Sequence, residues 1–335
     1  MKKLLICILS LLVMTVGVAA YGESTPLQEN VTPQDSTIDI IGWFNENDTL
    51  TYWIHESSWR IDGVDTVRTG LVSTKIRITV VDSVANGYKM DYTFLEFPTD
   101  TASTTPSVDF QNKITAKLGQ QIVGTTIHFE TDEYGKITKF NNLEEIKKQA
   151  LSLFKQVISD FSELPEIQGL KEMGLDVVDY AKNVDTDKLV DGYLAELQML
   201  FMNHGLSMQT GENTEHENAT DTQFENTTYS SVYKDADDGA YHVIYDVTNI
   251  LPQSELKAMV GGVVESLSDD SIAESFNKNF DAQVNVDGTF RDYLQIDYMP
   301  CGWPYSVVRQ KITMVGTRGK LQQTVISLDS FTFAP

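Results

Sequence analysis

Cys301 is the strongest nucleophile type in the chain, and it stands in the stretch Met299-Pro300-Cys301-Gly302-Trp303-Pro304 between two expected strands. A cysteine attacks as its thiolate, which a nearby base or positive field must stabilise. Nothing adjacent in sequence supplies that base. A turn shaped by Pro300, Gly302 and Pro304 accounts for Cys301 as a packed thiol, with Trp303 as the turn's anchor. The histidines His55, His128, His204, His216 and His242 show no i, i+4 pair and no HExxH, so no zinc site is spelled out. His55, His128 and His242 fall in the polar phase of strand-like runs, where cross-strand neighbours and water satisfy them. Asp235-Ala236-Asp237-Asp238-Gly239 and Asn45-Glu46-Asn47-Asp48 resemble fragments of a calcium loop, but the stretch from Asp235 has glycine where the third ligand belongs and no Glu at position twelve. Both read as hairpin turns, where Asp, Asn and Gly are favoured. Weak calcium binding is the only cofactor expectation left, on carboxylate density alone. No catalytic, cofactor-binding or metal residue is assigned.

Recognition without reaction has better candidates. Trp43, Phe44, Tyr52, Trp53 and Trp59 crowd into one short stretch. Tyr52 shares its phase with Leu50 and Ile54 and is expected in the core. Trp53 has the opposite phase and is the better surface for stacking on a ligand. Met90, Tyr92, Met259, Met299 and Met314 are candidates to line an apolar groove, methionine being adaptable enough for lipidic ligands. Plain core packing competes with that reading at each position.

The elements that would position these residues follow from periodicity. Leu50-Tyr52-Ile54, Ile76-Ile78-Val80 and Tyr88-Met90-Tyr92-Phe94 alternate with polar residues, the pattern of antiparallel strands with one wet face. Asn86-Gly87 marks a hairpin between the second and third runs. Thr125–Glu130 and Lys136–Phe140 read as a further hairpin. Asn142, three residues before Glu145, opens a helix with an apolar stripe from Leu143 through Ile146, Ala150, Leu153 and Val157. More helix is expected over 107–118, 166–182, Thr186 to a Gly205 cap, and 252–280. Strands are expected at Tyr241–Val247, Gln283–Val286, Phe290–Tyr298, Tyr305–Val315 and Leu321–Phe333. Asp82, Tyr88 and Tyr92 are echoed at the same offsets by Asp235, Tyr241 and Tyr245, which raises the question of duplication.

Met1-Lys2-Lys3, the apolar run Leu4–Val18 and the small residues Ala19-Ala20 form an export signal, too short for a retained membrane span. The expected organisation is a signal peptide at 1–20 and a flexible leader at 21–36. An N-terminal β-sheet plus helical block follows at 37–210, then a polar linker at 211–226 and a C-terminal helix-plus-sheet portion at 227–335. Cys7 leaves with the signal and sits too early for lipoprotein processing, so neither a disulfide nor a lipid anchor is expected. The chain carries 25 Lys plus Arg against 48 Asp plus Glu, a formal charge of −23, or −25 without Lys2 and Lys3. That balance repels phosphate backbones and anionic bilayers, which excludes nucleic acid as a partner.

Thr126-Ile127-His128-Phe129-Glu130-Thr131-Asp132-Glu133-Tyr134-Gly135-Lys136-Ile137, then Asn141-Asn142-Leu143-Glu144-Glu145, then Gly302-Trp303-Pro304 before a late strand, resemble secreted proteins of unknown function common in Bacteroidetes. The resemblance implies an exported α+β protein and lends no catalytic residues. The expected fold class is therefore α+β: antiparallel twisted sheets packed on amphipathic helices, as two related halves or one continuous curved sheet. The expected function is a non-catalytic binding protein of the periplasm or cell surface, holding a hydrophobic small molecule or an envelope protein. The alternatives are a hydrolase or transferase with an acidic site assembled from distant loops, and a structural component of the envelope.

Overall fold

The computed structural model describes residues 36–98, 119–163, 186–219, 224–258 and 286–334, together with residues 117, 168, 278, 280 and 284. Along the chain run β1 (Thr37–Asp39), β2 (Thr49–Asp62), β3 (Asp65–Val84), β4 (Gly87–Glu96), β5 (Thr126–Thr131) and β6 (Ile137–Phe140). Two helices follow, α1 (Leu143–Phe161) and α2 (Thr186–Phe201). The remaining strands are β7 (Ser207–Gln209), β8 (Gly211–Glu217), β9 (Asn226–Lys234), β10 (Tyr241–Leu251), β11 (Gly288–Tyr298), β12 (Pro304–Val315) and β13 (Arg318–Thr332).

β1 pairs with β7 in a small ribbon; the other strands form one antiparallel sheet in the order β6-β5-β4-β3-β2-β13-β12-β11-β10-β9-β8. Each strand lies beside its sequence neighbour except at the centre. There β2 pairs with β13, from Asp62 opposite Arg318 to Thr49 opposite Thr332. Eleven strands laid flat would span about 48 Å. Yet side chains from β2–β5 and from β9–β13 share one core with α1 and α2. The sheet must therefore curve around the helices, with β6 and β8 left as its edges. The face holding Leu50, Tyr52, Ile76, Ile78, Met90, Tyr92, Val243, Ile296 and Val307 is the concave one.

The expected α+β class does not hold: the described residues are 55% strand and 20% helical, a β-dominated fold in which helices fill the hollow of one sheet. Two features hid this in the sequence. The alternating runs of β2 and β3 continue far beyond Ile54 and back before Ile76, through residues whose two faces are similarly polar. Residues 211–217, expected as part of a linker, form the edge strand β8, polar in both phases and bonded on one side to β9. The sheet runs unbroken across that boundary, so it is continuous and not split into halves. The expected helices at 107–118 and 166–182, most of that at 252–280, and the expected strand from Gln283 fall largely or wholly outside the described residues.

α1 begins where Asn142 stands, but the Asn142 side chain caps nothing in the helix. Its Oδ1 accepts from the His128 N–H at 2.9 Å and its Nδ2 donates to the Thr126 carbonyl at 2.8 Å, which ties the start of α1 to β5. α2 lays Val190, Leu194, Leu197, Leu200 and Phe201 into the core. At its end an aromatic hub holds the chain's early segment. Phe44 packs against Trp303 with centroids 4.0 Å apart, and against Tyr88, Phe201 and His204. Gly302 lets the strap of residues 40–44 pass: its φ is +86°, and a Cβ there would lie 2.1 Å from the Ile41 carbonyl oxygen.

Candidate functional site

On β2 the core phase Leu50-Tyr52-Ile54 continues to Glu56, because alternate residues of a strand share a face. The neighbouring strands do the same. Ile326 of β13 is followed in phase by Thr324, Gln322 and Lys320, and Val307 of β12 by Arg309 and Lys311. Glu56 is opposite Thr324, and Thr324 is opposite Arg309, so Glu56 and Arg309 occupy one row two strands apart, about 10 Å between backbones. The row is completed by Val72 on β3 and by Leu294 and Tyr245 on β11 and β10. The concave face is thus apolar where α2 packs and charged immediately beyond.

Charges in such a place need partners. Arg309 finds one in Asp292 of β11: its Nε and Nη2 donate to the two carboxylate oxygens at 2.9 and 2.6 Å, with only 16% and 15% of the two side chains exposed. Glu56 is exposed, yet the protein around it raises its carboxyl above the ordinary range by desolvation. A residue both exposed and crowded marks the candidate recess between α2 and the concave face. Glu196, half-buried on α2, is pushed up to about 8, first by desolvation and then by the charge of Glu56; its own backbone and Arg309 act in the opposite direction. Tyr92 is wholly buried, its phenol raised by desolvation and by the charges of Glu196 and Glu56, and its hydroxyl has no hydrogen-bond partner. Further along β13, the Lys320 ammonium is buried without a partner, and burial lowers both Lys320 and Lys311. Burial also pushes Tyr193, on α2, up to about 12.

Of the six side chains expected to contact a ligand, the structure brings Met90 and Tyr92 together on β4, both buried in the core. Trp53 lies on the convex face, stacked on His55 at 5.9 Å, with the Lys75 ammonium 5.1 Å from its ring centre. Met314 stands opposite Gly319, in the phase of the convex face. Met299 is half-buried in the turn before Trp303, and Met259 lies outside the described residues. Glu56, Glu196 and Arg309 were not foreseen. The legible signal for Glu56 and Arg309 was a charged residue in the apolar phase of a strand.

The expected reactive types are placed elsewhere. Cys301 is a free, half-buried thiol in the turn before β12. His204 is buried beside that turn, but its Nε2 reaches the Gly302 carbonyl at 3.0 Å and its Nδ1 the Phe201 carbonyl at 3.3 Å. Desolvation lowers its imidazole to about 4, so the ring is neutral and serves as a strut. His55, His128 and His242 pair across strands with Ser73, Asp91 and Asp297 at 2.9, 2.6 and 2.7 Å. Among the described residues no three His, Cys, Asp or Glu side chains are grouped to hold a metal ion, and no helix is long and apolar enough to cross a membrane.

No family model and no curated protein matches this chain. Among solved structures, one described as lipid–protein interactions in lipovitellin aligns at 12% identity with a TM-score of 0.37, over 87% of this chain and 26% of that one. An outer membrane channel from Pseudomonas putida F1 aligns at 7% identity with a TM-score of 0.13, over 89% of this chain and 100% of that one. The chain spans about a quarter of the lipovitellin structure, and both scores are too low for a shared fold.

Proposed function

We propose that this chain is an exported binding protein that holds an amphiphilic small molecule in the recess between α2 and the concave face of the sheet. The observation that carries the reading is the set of ionisable groups on and around the concave face: Glu56 and Glu196 with raised carboxyls and, further along β13, the buried ammonium of Lys320 without a partner. Such groups cost stability where they stand, and perturbed clusters of this kind mark functional recesses. Val72, half-buried, offers apolar surface in the same row as the charges, which suits a ligand with both characters. Export rests on the sequence of residues 1–20. Native mass spectrometry of protein purified from its own periplasm or cell surface tests the reading, with one co-purified small molecule per chain as the expected result. Protein that purifies empty and takes up nothing from an envelope lipid extract refutes it.

A hydrolase reading draws on the same carboxyl pair. Glu196 keeps its proton near neutrality beside Glu56, the division of roles between a general acid and a general base. Turnover of chromogenic glycosides or esters that disappears in both Glu56→Gln and Glu196→Gln would favour it over the carrier.

A further inference from the structure

The geometry points to a protein-docking surface on the rim of the sheet where β2 begins and β13 ends, fitted to a partner that presents an apolar patch ringed by lysine and arginine. Among the described residues the exposed aromatic side chains are Trp43, Tyr134, Tyr233, Phe331 and Phe333. All stand at this end of their strands or in the loops that join strands there. The strap that closes this end, followed from Ile40 to Asp48, gathers most of them. Its alternate residues Ile40, Gly42 and Phe44 are buried, so Trp43 is turned outward and is 66% exposed. The Trp43 N–H donates to the Cys301 carbonyl at 2.9 Å. On one side of it the Gly42 N–H donates to the Tyr134 carbonyl at 2.8 Å, and the Ile40 N–H to the Leu206 carbonyl at 2.9 Å. On the other side the Asn47 N–H donates to the Val80 carbonyl, next to exposed Val81. There too the Asp48 carboxylate accepts from the N–H of Ala334, which follows Phe333, and Phe333 packs on Phe331 with ring centres 4.8 Å apart. Trp43, Tyr134, Leu206, Val81, Phe331 and Phe333 thus flank a strap at most about 30 Å long, the breadth of one partner's share of a standard interface.

These side chains are presented in place before a partner arrives. Backbone bonds hold the strap on both sides, and the Tyr88 hydroxyl donates to the Gly42 carbonyl at 3.2 Å, so little freedom is left to lose on binding. A tryptophan and two phenylalanines in water add nothing to the core; exposed apolar surface gathered in this way marks interaction sites, in which Trp is among the dominant anchors. The surrounding charges select the partner. Glu46 on the strap, Glu133 beside Tyr134, and Asp235, Asp237 and Asp238 in the loop after β9 are all exposed. A Cβ on Gly239 would lie 3.7 Å from the Pro300 ring, which sets that loop beside the turn that bonds Trp43. Against these carboxylates stand Lys136 and Lys234, while Lys89 is held by Asp82 at 2.8 Å. Such a rim repels a second copy of the same face and the head groups of an anionic bilayer, and it attracts a basic protein surface.

Two amphipathic helical peptides, one of leucine and lysine and one of leucine and glutamate, test this by titration calorimetry against the whole protein. The expected result is one leucine–lysine peptide bound per chain and no binding of the leucine–glutamate peptide. Trp43→Ser and Phe331→Ser leave the charge unchanged and should each weaken binding about tenfold or more. Val64→Ser, at a fully exposed position in the turn at the opposite end of β2, should leave it as it is. Circular dichroism checks that each variant is folded. Should one not fold, amide hydrogen exchange of the wild type reads the same contact, with the peptide slowing exchange in residues 40–48 and 331–334. Equal binding by wild type, Trp43→Ser and Phe331→Ser means attraction by net charge alone and overturns the proposal, as do protection confined to other residues and failure of the leucine–lysine peptide to bind. Phosphatidylcholine vesicles that sediment the wild type but not Trp43→Ser overturn it in favour of a bilayer. A dimer in sedimentation velocity that Trp43→Ser dissolves overturns it in favour of a second copy. Each of these outcomes leaves the carrier reading untouched, because the recess lies on other residues.

Discussion

Replacing Glu196 with Gln removes a carboxyl whose protonation is strongly displaced by folding and keeps its shape. The direction is fixed by linkage. The carboxyl titrates at 4.5 when ordinary and at about 8 in the fold, so the folded state holds the proton more tightly. Its stabilising share is complete below 4.5 and is lost as pH climbs through about 8. At about 1.4 kcal/mol per pH unit the interval sets a ceiling of about 5 kcal/mol. Glu196 is half-buried and water reaches the recess, so about 2–3 kcal/mol is the expected measured loss. Urea denaturation from about pH 5 to about pH 9 at constant ionic strength is the assay. Wild type and Glu196→Gln should agree at the acid end, and the variant should be the more stable by that amount at the alkaline end. Glu144→Gln, on an exposed side chain of α1, is the control and should track the wild type. Parallel stability curves for wild type and Glu196→Gln would refute the placement of Glu196 in a desolvated recess.

Three more outcomes follow from the same structure. The neutral His204 strut confers stability that is full above 6.5 and drains as pH falls toward 4; His204→Gln should flatten this acid limb and cost about 1–3 kcal/mol at neutral pH through the lost bond to Gly302, both read by denaturant melts at each pH. Gly302→Ala drives a Cβ into the Ile41 carbonyl and should cost about 3 kcal/mol or more, whereas Gly63→Ala, with φ of +65° and open space around it, should cost about 1 kcal/mol by the same melts. Arg309→Met strands Asp292 and should lose about 2–3 kcal/mol, while Arg309→Met with Asp292→Leu should recover to within about 1 kcal/mol of wild type, tested by a double-mutant cycle.

Periodicity was a good guide wherever one face of an element is apolar and the other wet. Leu50-Tyr52-Ile54 and Ile76-Ile78-Val80 mark the buried segments of β2 and β3, and the stripe from Leu143 to Val157 marks α1. It failed where burial is partial on both faces. Residues 55–73 continue the two central strands without alternation, so the extent of the sheet was underestimated. β8 needs no apolar phase because it is an edge with a single bonded neighbour, and its polar sequence read as linker. The recess was illegible for another reason. Glu56, Arg309 and Glu196 come from β2, β12 and α2, and only the curvature of the sheet assembles them. Trp53 points outward as its phase indicated, and its half-buried ring stacks on His55 with the Lys75 ammonium over it.

The pairing of β2 with β13 has a consequence for biogenesis. The seam at the middle of the sheet is zipped by residues 318–332, which follow the other described strands in the chain and so emerge after them during synthesis or threading across a membrane. Until then β2 and β12 each present an unfilled ladder on the side where β13 belongs, the sticky template that holdases shield and proteases inspect. A polypeptide truncated before Arg318 would keep both ladders open indefinitely.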